Sequence, residues 1–514
     1  MSTKWVVVKN AVANLARGGA SGIAALFLPA VLVRHMTQLD YTVWVLVLQI
    51  AAYSGYLDFG LQTAIGRYVA FANEKQDAEL RNGIFSTAFF GLSLACVIFI
   101  VLLFAAGAGA SWLFPQISAQ VVPTMRWALL IVGSSVAIGL PASAWSGVFV
   151  GLQRNEIPAI VTGGAKIVSA VAVVAVVLQG HSIIVMAAVL AVLNLFSYLT
   201  LFGLAKRVAP EVKFQNSLVR WSSAKELSNY CYSLTIWSFA MMLVTGLDLL
   251  LVGRFQVSAL GPYAVAASLV TFVAGAQSAI FSAMIPRAAV AHAQQDPAAL
   301  GRMVLTSTRV GVLLLVFTGM PLLLFADPIM VAWVGRQYAI QAHAVLLVLV
   351  SANMIRLTGV PYSVVLIGAG QQKLITLSPL VEGLTNLVAS VLLGLKFGAM
   401  GVAWGTLIGA GVGVLGNLVY NIPRTNKAIR LRVLQYLFSG IVFPALAAVP
   451  FLVLIHLPNL MHPLETPLLF IIVFVALIGV ILYRSRVVRR NTLLEADSRR
   501  LERLERLHAN NEHP

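Results

Sequence analysis

The sequence predicts an all-α polytopic membrane protein of about fourteen transmembrane helices, arranged as two six-helix lobes in a parallel pseudo-repeat with an extra helix pair. Three observations predict this fold. The composition is too apolar for a soluble domain, the apolar runs have the length that crosses a bilayer, and motifs at helix ends recur about 220 residues apart.

The chain has 514 residues, of which 59% are hydrophobic and only 10% are charged, whereas soluble domains carry about 25% charge. A globule cannot hide so much apolar surface from water. Cys96 and Cys231 both lie in apolar runs, so the sequence indicates neither a disulfide framework nor a metal motif. The first apolar run is too long for the core of a cleavable signal peptide, and we expect it to remain as the first span.

Each predicted span approaches the roughly 20 residues that a helix needs to cross a bilayer. Helices are expected because lipid offers no hydrogen-bond partners, so the backbone groups must bond within the segment. A β-barrel is not expected, because these long apolar runs lack the alternation of apolar and polar residues that barrel strands show. The predicted spans are residues 10–33, 41–71, 83–106, 121–150, 157–178, 182–205, 228–253, 259–286, 303–326, 340–368, 374–395, 398–422, 434–456 and 465–483.

Loop charges predict the orientation. If the N-terminus lies inside, the cytoplasmic segments hold 26 of the 35 lysines and arginines. Because basic residues concentrate on the cytoplasmic side, both termini are predicted to be cytoplasmic. The net charge of +17 then reflects topology rather than nucleic-acid binding. The outer loops hold four basic residues, Arg34, Arg254, Arg336 and Lys396.

The repeat spans six helices, an even number, so the two copies are predicted to be parallel. Such lobes are typical of transporters, with a substrate cavity between them. The matched positions are Arg34 with Arg254, Arg67 with Arg287, and Gly151 with Gly370. The predicted domains are an N-lobe (1–206), a cytoplasmic linker (207–227), a C-lobe (228–427), helices 13 and 14 (428–483) and a basic cytoplasmic tail (484–514).

Eight ionisable residues fall within predicted spans, where charges usually face a bundle interior or a wet cavity. The excess of basic residues favours an anionic solute, and phosphate suits arginine and lysine. Basic residues near the span ends have an alternative role, in which the long side chain extends towards the lipid headgroups. The basic residues are Arg17, Arg126, Lys166, Arg309 and Arg356, and the acidic residues are Asp58, Asp248 and Glu382.

The three acids are candidates for ion coupling or for structural ion pairs. Asp58 has Arg17 or Lys166 as its expected partner. Asp248 lies close to Arg254, which favours a packing or gating salt bridge. The glycines of "GTLIGAGVGVLG" in span 12 are expected to permit close helix packing.

Enzymatic chemistry is not indicated. The predicted outer loops are short, and the sequence contains no Walker A, HExxH or CxxC motif and no suitably placed GxSxG. We therefore expect a transporter rather than an enzyme. A membrane enzyme or a non-transporting scaffold remains an alternative.

Three segments resemble the bacterial polysaccharide transporter family: "YLDFGLQTAIGRYVA", "LDLLLVGRFQVSALGPYAVA" and "GLQRN". This family contains flippases for O-antigen and related lipid-linked oligosaccharides. It belongs to the multidrug/oligosaccharidyl-lipid/polysaccharide exporter superfamily. The resemblance covers residues 10 to 483.

The resemblance implies alternating access and a cationic cavity for an undecaprenyl-diphosphate-linked oligosaccharide. Candidate residues for its diphosphate or acidic sugars are Arg17, Lys166, Arg309 and Arg356. It implies a location in the bacterial inner membrane, contact with membrane lipid, and a polysaccharide polymerase and chain-length regulator as candidate partners. No cofactor is expected beyond H⁺ or Na⁺ as a coupling ion. The alternatives are a cation-coupled multidrug exporter of the same superfamily and a membrane enzyme or scaffold of polysaccharide synthesis.

Overall fold

The computed structural model of the protein describes Gly22 and residues 25–451. This part of the chain is helical and contains no strand, as predicted. Arg17, span 14 and the tail lie outside the described residues. The α-helices are α1 (Ala25–His35), α2 (Gln38–Ala52), α3 (Leu61–Glu74), α4 (Ala78–Ala108), α5 (Ala110–Leu113), α6 (Val122–Gly151), α7 (Glu156–Leu178), α8 (Ile183–Val208), α9 (Trp221–Met241), α10 (Asp248–Phe255), α11 (Val257–Ser282), α12 (Ile285–Ala293), α13 (Pro297–Leu324), α14 (Ala326–Val334), α15 (Arg336–Leu357), α16 (Val360–Gly368), α17 (Leu377–Gly416) and α18 (Ile422–Ile429).

The long helices agree with the predicted spans. Within residues 25–451, nine helical segments are long and apolar enough to cross a membrane. A broken span, bent by 41° where α10 begins, is a tenth. Because the helical segment Leu377–Ile429 covers both span 11 and span 12, these segments account for predicted spans 2 to 12. The predicted polytopic membrane fold is therefore confirmed.

The second span is interrupted at the segment "LDFGL". After α2 the chain forms a 3₁₀ turn, Tyr53–Asp58, and α3 begins three residues later. Phe59 and Gly60 between them have φ of 51° and 77°, a region that glycine adopts without strain. A Cβ on Gly60 would also lie 2.8 Å from the Cβ of Leu234 in α9. Glycine is thus required here both by backbone conformation and by the close approach of a neighbouring helix.

The eleventh and twelfth spans form one tight hairpin. The chain turns back at Gly398, where φ is 57° and ψ is −135°. Glycines of the second half face polar residues of the first half, and a Cβ on any of these glycines would meet a neighbouring atom at 2.2 to 2.8 Å. These glycines therefore permit close packing, as predicted. The pairs are Gly405 with Ser390, Gly409 with Asn386, Gly413 with Glu382, and Gly416 with Ser378.

The pseudo-repeat is visible in the helix starts. Both α4 and α13 begin at an aspartate whose side chain accepts the N–H three residues ahead at 2.8 Å, a standard N-cap. In both places the glutamine before the aspartate has positive φ, 54° and 52°. The equivalent residues are Gln76, Asp77 and Leu80 in the first repeat and Gln295, Asp296 and Ala299 in the second.

The chain divides into two compact units after Ile441. The main hydrophobic cluster of the first unit contains residues of both predicted lobes. A smaller cluster forms around Tyr362 and Tyr436. The described part of the second unit contains the short helices Phe443–Ala445 and Leu446–Ala448. The predicted lobe boundaries fall within the first unit and stay predictions.

Candidate functional site

A buried polar cluster forms where the seventh span breaks. Between α9 and α10 lies a π-helical turn, Met242–Gly246. A π-turn interrupts the regular ladder of helical hydrogen bonds, and such turns are frequent at functional sites. The Leu243 and Val244 carbonyls both accept from the buried side-chain amide of Asn386, at 3.3 and 2.9 Å. The break therefore joins α17 to the seventh span through backbone carbonyls.

Arg356 and Glu382 form an ion pair beside this turn. Arg356 Nε donates to Glu382 Oε1 at 2.7 Å, and the two side chains are 12% and 10% exposed. Arg356 Nη2 also lies 3.5 Å from the Val244 carbonyl. Removing either partner would leave a buried charge uncompensated. The four glycines of α17 that face its first half, Gly405, Gly409, Gly413 and Gly416, form a glycine ridge. This ridge makes the pair possible, because a Cβ on Gly413 would lie 2.2 Å from Glu382 Oε2.

Asp248, the first residue of α10, completes the cluster. Thr406 Oγ1 donates to its Oδ2 at 2.9 Å, and the Tyr263 hydroxyl lies 3.4 Å from the same oxygen. Both donors are buried. The predicted salt bridge with Arg254 is wrong, since Arg254 donates to the backbone carbonyl of Trp112 at 2.6 Å. Among the described residues, no basic side chain lies within salt-bridge distance of Asp248.

The cluster lies in the predicted C-lobe, but the N-lobe contacts it directly. Gln49 Nε2 and the Tyr53 hydroxyl, at the end of α2, both donate to the Gly246 carbonyl, at 2.8 and 2.5 Å. This carbonyl ends the π-turn, two residues before Asp248. A change in the turn therefore changes a contact between the two predicted lobes.

A second set of contacts joins the predicted lobes at their outer ends. Gln116 accepts the N–H of Val257 at 3.0 Å and donates to the Phe255 carbonyl at 2.9 Å. Gln38 donates to the Ser258 carbonyl at 2.9 Å and to the side chain of Gln341 at 3.1 Å. In this conformation the predicted outer ends of the two lobes are therefore held together.

Asp58 accepts hydrogen bonds from a backbone N–H and a hydroxyl in the described chain. It ends the 3₁₀ turn of the second span, and its Oδ1 accepts the N–H of Gln62 at 3.4 Å and the hydroxyl of Ser143 at 3.3 Å. It forms no ion pair with Lys166. Its other expected partner, Arg17, lies outside the described residues, so the ion pair of Asp58 stays a prediction. In the described chain the carboxylate supports the break between α2 and α3.

The remaining basic candidates lie apart from the cluster. Lys166 is exposed on α7, which contacts α6 and α8. Arg309 on α13 is half-buried and donates its Nε to the Ser439 carbonyl at 2.8 Å. Arg126 at the start of α6 donates its Nε to the Gly107 carbonyl at 2.9 Å. Of the predicted site residues, the structure thus brings together only Arg356, Glu382 and Asp248 among those it describes.

Sequence reasoning missed the uncharged members of this cluster. Asn386, Thr406 and Tyr263 are polar residues of a kind that is common in membrane helices, and nothing in their spacing distinguishes them. Asn386 and Glu382, four residues apart, do share one face of a helix. The available signal for these residues was in span 12. Its glycines recur every four residues, and this spacing marks the helix face that packs against span 11.

The charges of the cluster decide what it can bind. One arginine and two carboxylates give a formal net charge of −1, and the arginine is committed to Glu382. An isolated carboxylate is costly inside a protein. Asp248, surrounded by hydroxyl, amide and carbonyl groups, can be neutralised by a proton or a small cation. The cluster therefore suits cation exchange better than the direct binding of a large anion.

Fold and site together define a polytopic membrane protein built like a two-lobed transporter. Residues 31–343, more than half of the chain, match the protein family described as "Polysaccharide biosynthesis protein". The chain belongs to this family. No curated protein matches the sequence.

Solved structures of membrane transporters have the same fold. The lipid II flippase MurJ in an inward closed conformation superposes with a TM-score of 0.68 at 13% identity, covering 94% of this chain and 99% of that one. The eukaryotic MATE transporter AtDTX14 gives a TM-score of 0.62 at 15% identity, covering 80% and 94%. An inward-facing multidrug resistance MATE transporter of the MOP superfamily gives 0.58 at 13%, covering 79% and 93%. These likenesses show the fold of this chain.

Proposed function

We propose that this protein is a flippase that moves an undecaprenyl-diphosphate-linked oligosaccharide from the inner to the outer leaflet of the bacterial cytoplasmic membrane by alternating access. The carried glycan is a repeat unit of O-antigen, capsule or exopolysaccharide. Membership of the polysaccharide biosynthesis family, in a chain with a transporter fold, is the observation that carries the proposal. The likeness to a lipid II flippase over 94% of the chain supports a lipid-linked substrate.

In this proposal the substrate enters from the cytoplasm. The bias of basic residues supports cytoplasmic termini. The contacts of Gln38 and Gln116 join the ends of the lobes that face outward in this topology. A closed outer end is the arrangement in which an alternating-access protein receives substrate from inside.

The coupling cation, H⁺ or Na⁺, is proposed to act at Asp248. This carboxylate has hydroxyl donors in Thr406 and Tyr263 and no ion pair with a described residue. Neutralising it changes the charge at the start of α10, next to the Gly246 carbonyl that Gln49 and Tyr53 bind. Cation occupancy would thereby be transmitted to the N-lobe through the π-turn.

The diphosphate is proposed to bind among the basic candidates Arg17, Lys166, Arg309 and Arg356. In this conformation Arg356 is held by Glu382 and Arg309 by a backbone carbonyl. Phosphate would have to displace these acceptors. Protonation of Glu382 would free Arg356, which offers one way to link ion binding to substrate binding.

A cation-coupled multidrug exporter is the second candidate. The MATE structures with TM-scores of 0.58 and 0.62 favour it, and so does the net negative charge of the Asp248 cluster. An exporter would confer resistance to cationic dyes when overproduced, and a flippase would not.

The decisive experiment is deletion of the native gene followed by analysis of lipid-linked oligosaccharides. Accumulation of an undecaprenyl-diphosphate glycan, reversed by the wild-type gene, supports the flippase. The Asp248→Asn variant, produced at wild-type levels, is expected to leave the accumulation unreversed. Normal levels of every lipid-linked intermediate in the deletion strain, together with dye sensitivity, would overturn the flippase in favour of the exporter.

A further inference from the structure

A groove runs between α4 and α9 on the side of the molecule nearest the linker. Its inner part is a cavity of about 440 Å³ whose lining includes Phe59, Thr87 and Gly91. Its mouth is a cavity of about 330 Å³ whose lining includes Gly83 and Arg220. Gly83, Thr87 and Gly91 follow one another at four-residue spacing and therefore share one face of α4. Both cavities lie along this face of α4 and against α9, and we name them together the α4/α9 groove.

The lining changes from polar to apolar along the groove. At the mouth lie Glu79, Ser222, Ser223 and Glu226, and the linker that precedes α9 is predicted to be cytoplasmic. Trp221, at the start of α9, is 84% exposed, and exposed tryptophans mark the membrane interface. The inner part is lined mainly by apolar side chains, including Leu61, Leu227 and Ile236. A phospholipid has the same order of polar headgroup and apolar chain.

The glycines of α4 leave the groove open. A Cβ on Gly91 would meet only the Cδ1 of Leu61, at 3.7 Å, and a Cβ on Gly83 only the Leu218 carbonyl, at 3.8 Å. Elsewhere in this protein, helix glycines admit a neighbouring helix: a Cβ on Gly147 would lie 2.7 Å from the Gln62 carbonyl. The space over Gly91 is not used for packing of helices and is available to a ligand.

The charges at the mouth identify the headgroup. Arg220 Nη2 lies 2.8 Å from Glu79 Oε1, with the side chains 55% and 66% exposed. Exposed pairs of this kind are weak, so both groups can exchange partners. Asp77 and Glu226 add two further carboxylates to the same cleft. One cation next to three anions complements a headgroup that carries both a phosphate and an ammonium.

We propose that the α4/α9 groove binds a zwitterionic phospholipid of the phosphatidylethanolamine type from the leaflet next to the linker. The phosphate accepts from Arg220, the ammonium faces Glu79 and Glu226, and an acyl chain lies over Gly91. Since α4 and α9 belong to different predicted lobes, the lipid contacts both. The proposal does not depend on what the protein transports.

The test is native mass spectrometry of the full-length protein from nanodiscs containing equal amounts of phosphatidylethanolamine and phosphatidylglycerol. Wild-type protein is expected to retain phosphatidylethanolamine preferentially. Gly91→Leu fills the groove and should lower this retention about tenfold, as expected for the loss of roughly 1.4 kcal/mol of binding. Gly203→Leu on α8 is the matched control, because a Cβ at Gly203 meets nothing within 4 Å, and it should retain lipid normally.

Headgroup variants test the proposal even if Gly91→Leu does not fold. Arg220→Ala should weaken retention of both lipids, and Glu79→Gln with Glu226→Gln should abolish the preference for phosphatidylethanolamine. Equal retention of both lipids by the wild type would overturn the proposal. So would recovery of a polyprenyl lipid in place of phospholipid, which would assign the groove to a substrate chain.

Discussion

Arg34 and Arg254, 220 residues apart in sequence, make equivalent contacts with opposite lobes. Arg34 Nη2 lies 2.8 and 3.2 Å from the carbonyls of Ala332 and Trp333, near the end of α14. Arg254 Nη1 lies 2.6 and 3.4 Å from the carbonyls of Trp112 and Leu113, at the end of α5. Carbonyls at the end of a helix lack intrahelical donors, and a cation is favourable there. Each lobe therefore caps a short outer helix of the other.

Removing one of these arginines should loosen the outer contact. We expect Arg34→Ala and Arg254→Ala each to lower crosslinking between cysteines placed at Gln38 and Gln341, whose side chains meet across the lobes at 3.1 Å. The crosslink is formed with a bifunctional thiol reagent, which does not require the close Cα approach of a disulfide. Cys96 and Cys231 are replaced by alanine in all variants.

The control for this crosslinking is Lys396→Ala, which removes another exposed basic residue from a predicted outer loop. It should leave the yield unchanged. A yield that also stays unchanged in both arginine variants would show that the arginines do not hold the lobes together.

Neutralising one member of the Arg356–Glu382 pair should destabilise the protein more than neutralising both. Arg356→Met leaves Glu382 buried without its partner, which costs about 3–5 kcal/mol. The double variant Arg356→Met with Glu382→Gln removes both charges and should recover most of the loss. The measurement is the thermal inactivation rate in detergent, since membrane proteins seldom unfold reversibly. A double variant as unstable as the single one would show that the charge of Glu382 is not what destabilises it.

The glycine ridge of α17 gives a comparison within one helix. A Cβ on Gly413 would lie 2.2 Å from Glu382 Oε2, whereas a Cβ on Gly411 meets nothing within 4 Å. Gly413→Ala should therefore destabilise by about 1–3 kcal/mol through overpacking, while Gly411→Ala should be neutral or stabilise by up to about 1 kcal/mol through helix propensity. Thermal inactivation rates of the two variants decide this. Equal rates would mean that the hairpin relaxes around the added methyl.

The architecture could be predicted from the sequence because it depends on features that a single chain displays. Span length, loop charge and the recurrence of Arg34 at Arg254 follow from bilayer thickness, topology and duplication. The glycines that face Glu382 and Asn386 were also readable as packing residues, since their four-residue spacing defines a helix face.

Partners of the charged residues could not be predicted in the same way. Asp248 and Arg254 are close in sequence, yet Asp248 binds Thr406, 158 residues away, because the hairpin of α17 places that hydroxyl against α10. Asp58 satisfies a backbone N–H at a helix break that depends on the positive φ of Phe59 and Gly60. Both outcomes depend on tertiary packing and on local backbone geometry, which hydropathy does not report.

The contact of the N-lobe with Gly246 provides the last prediction. Its carbonyl accepts from both Gln49 and Tyr53, so Tyr53→Phe alone leaves one donor, whereas Gln49→Leu with Tyr53→Phe leaves none. Since a neutral hydrogen bond contributes about 1 kcal/mol, the single variant should change transport slightly and the double variant strongly. The measurement is the cation concentration that gives half-maximal transport, which should shift if the π-turn connects Asp248 to the N-lobe. A double variant with a lower maximal rate but an unshifted half-maximal concentration would contradict that connection, because a purely structural contact changes the amount of active protein and not its response to the cation.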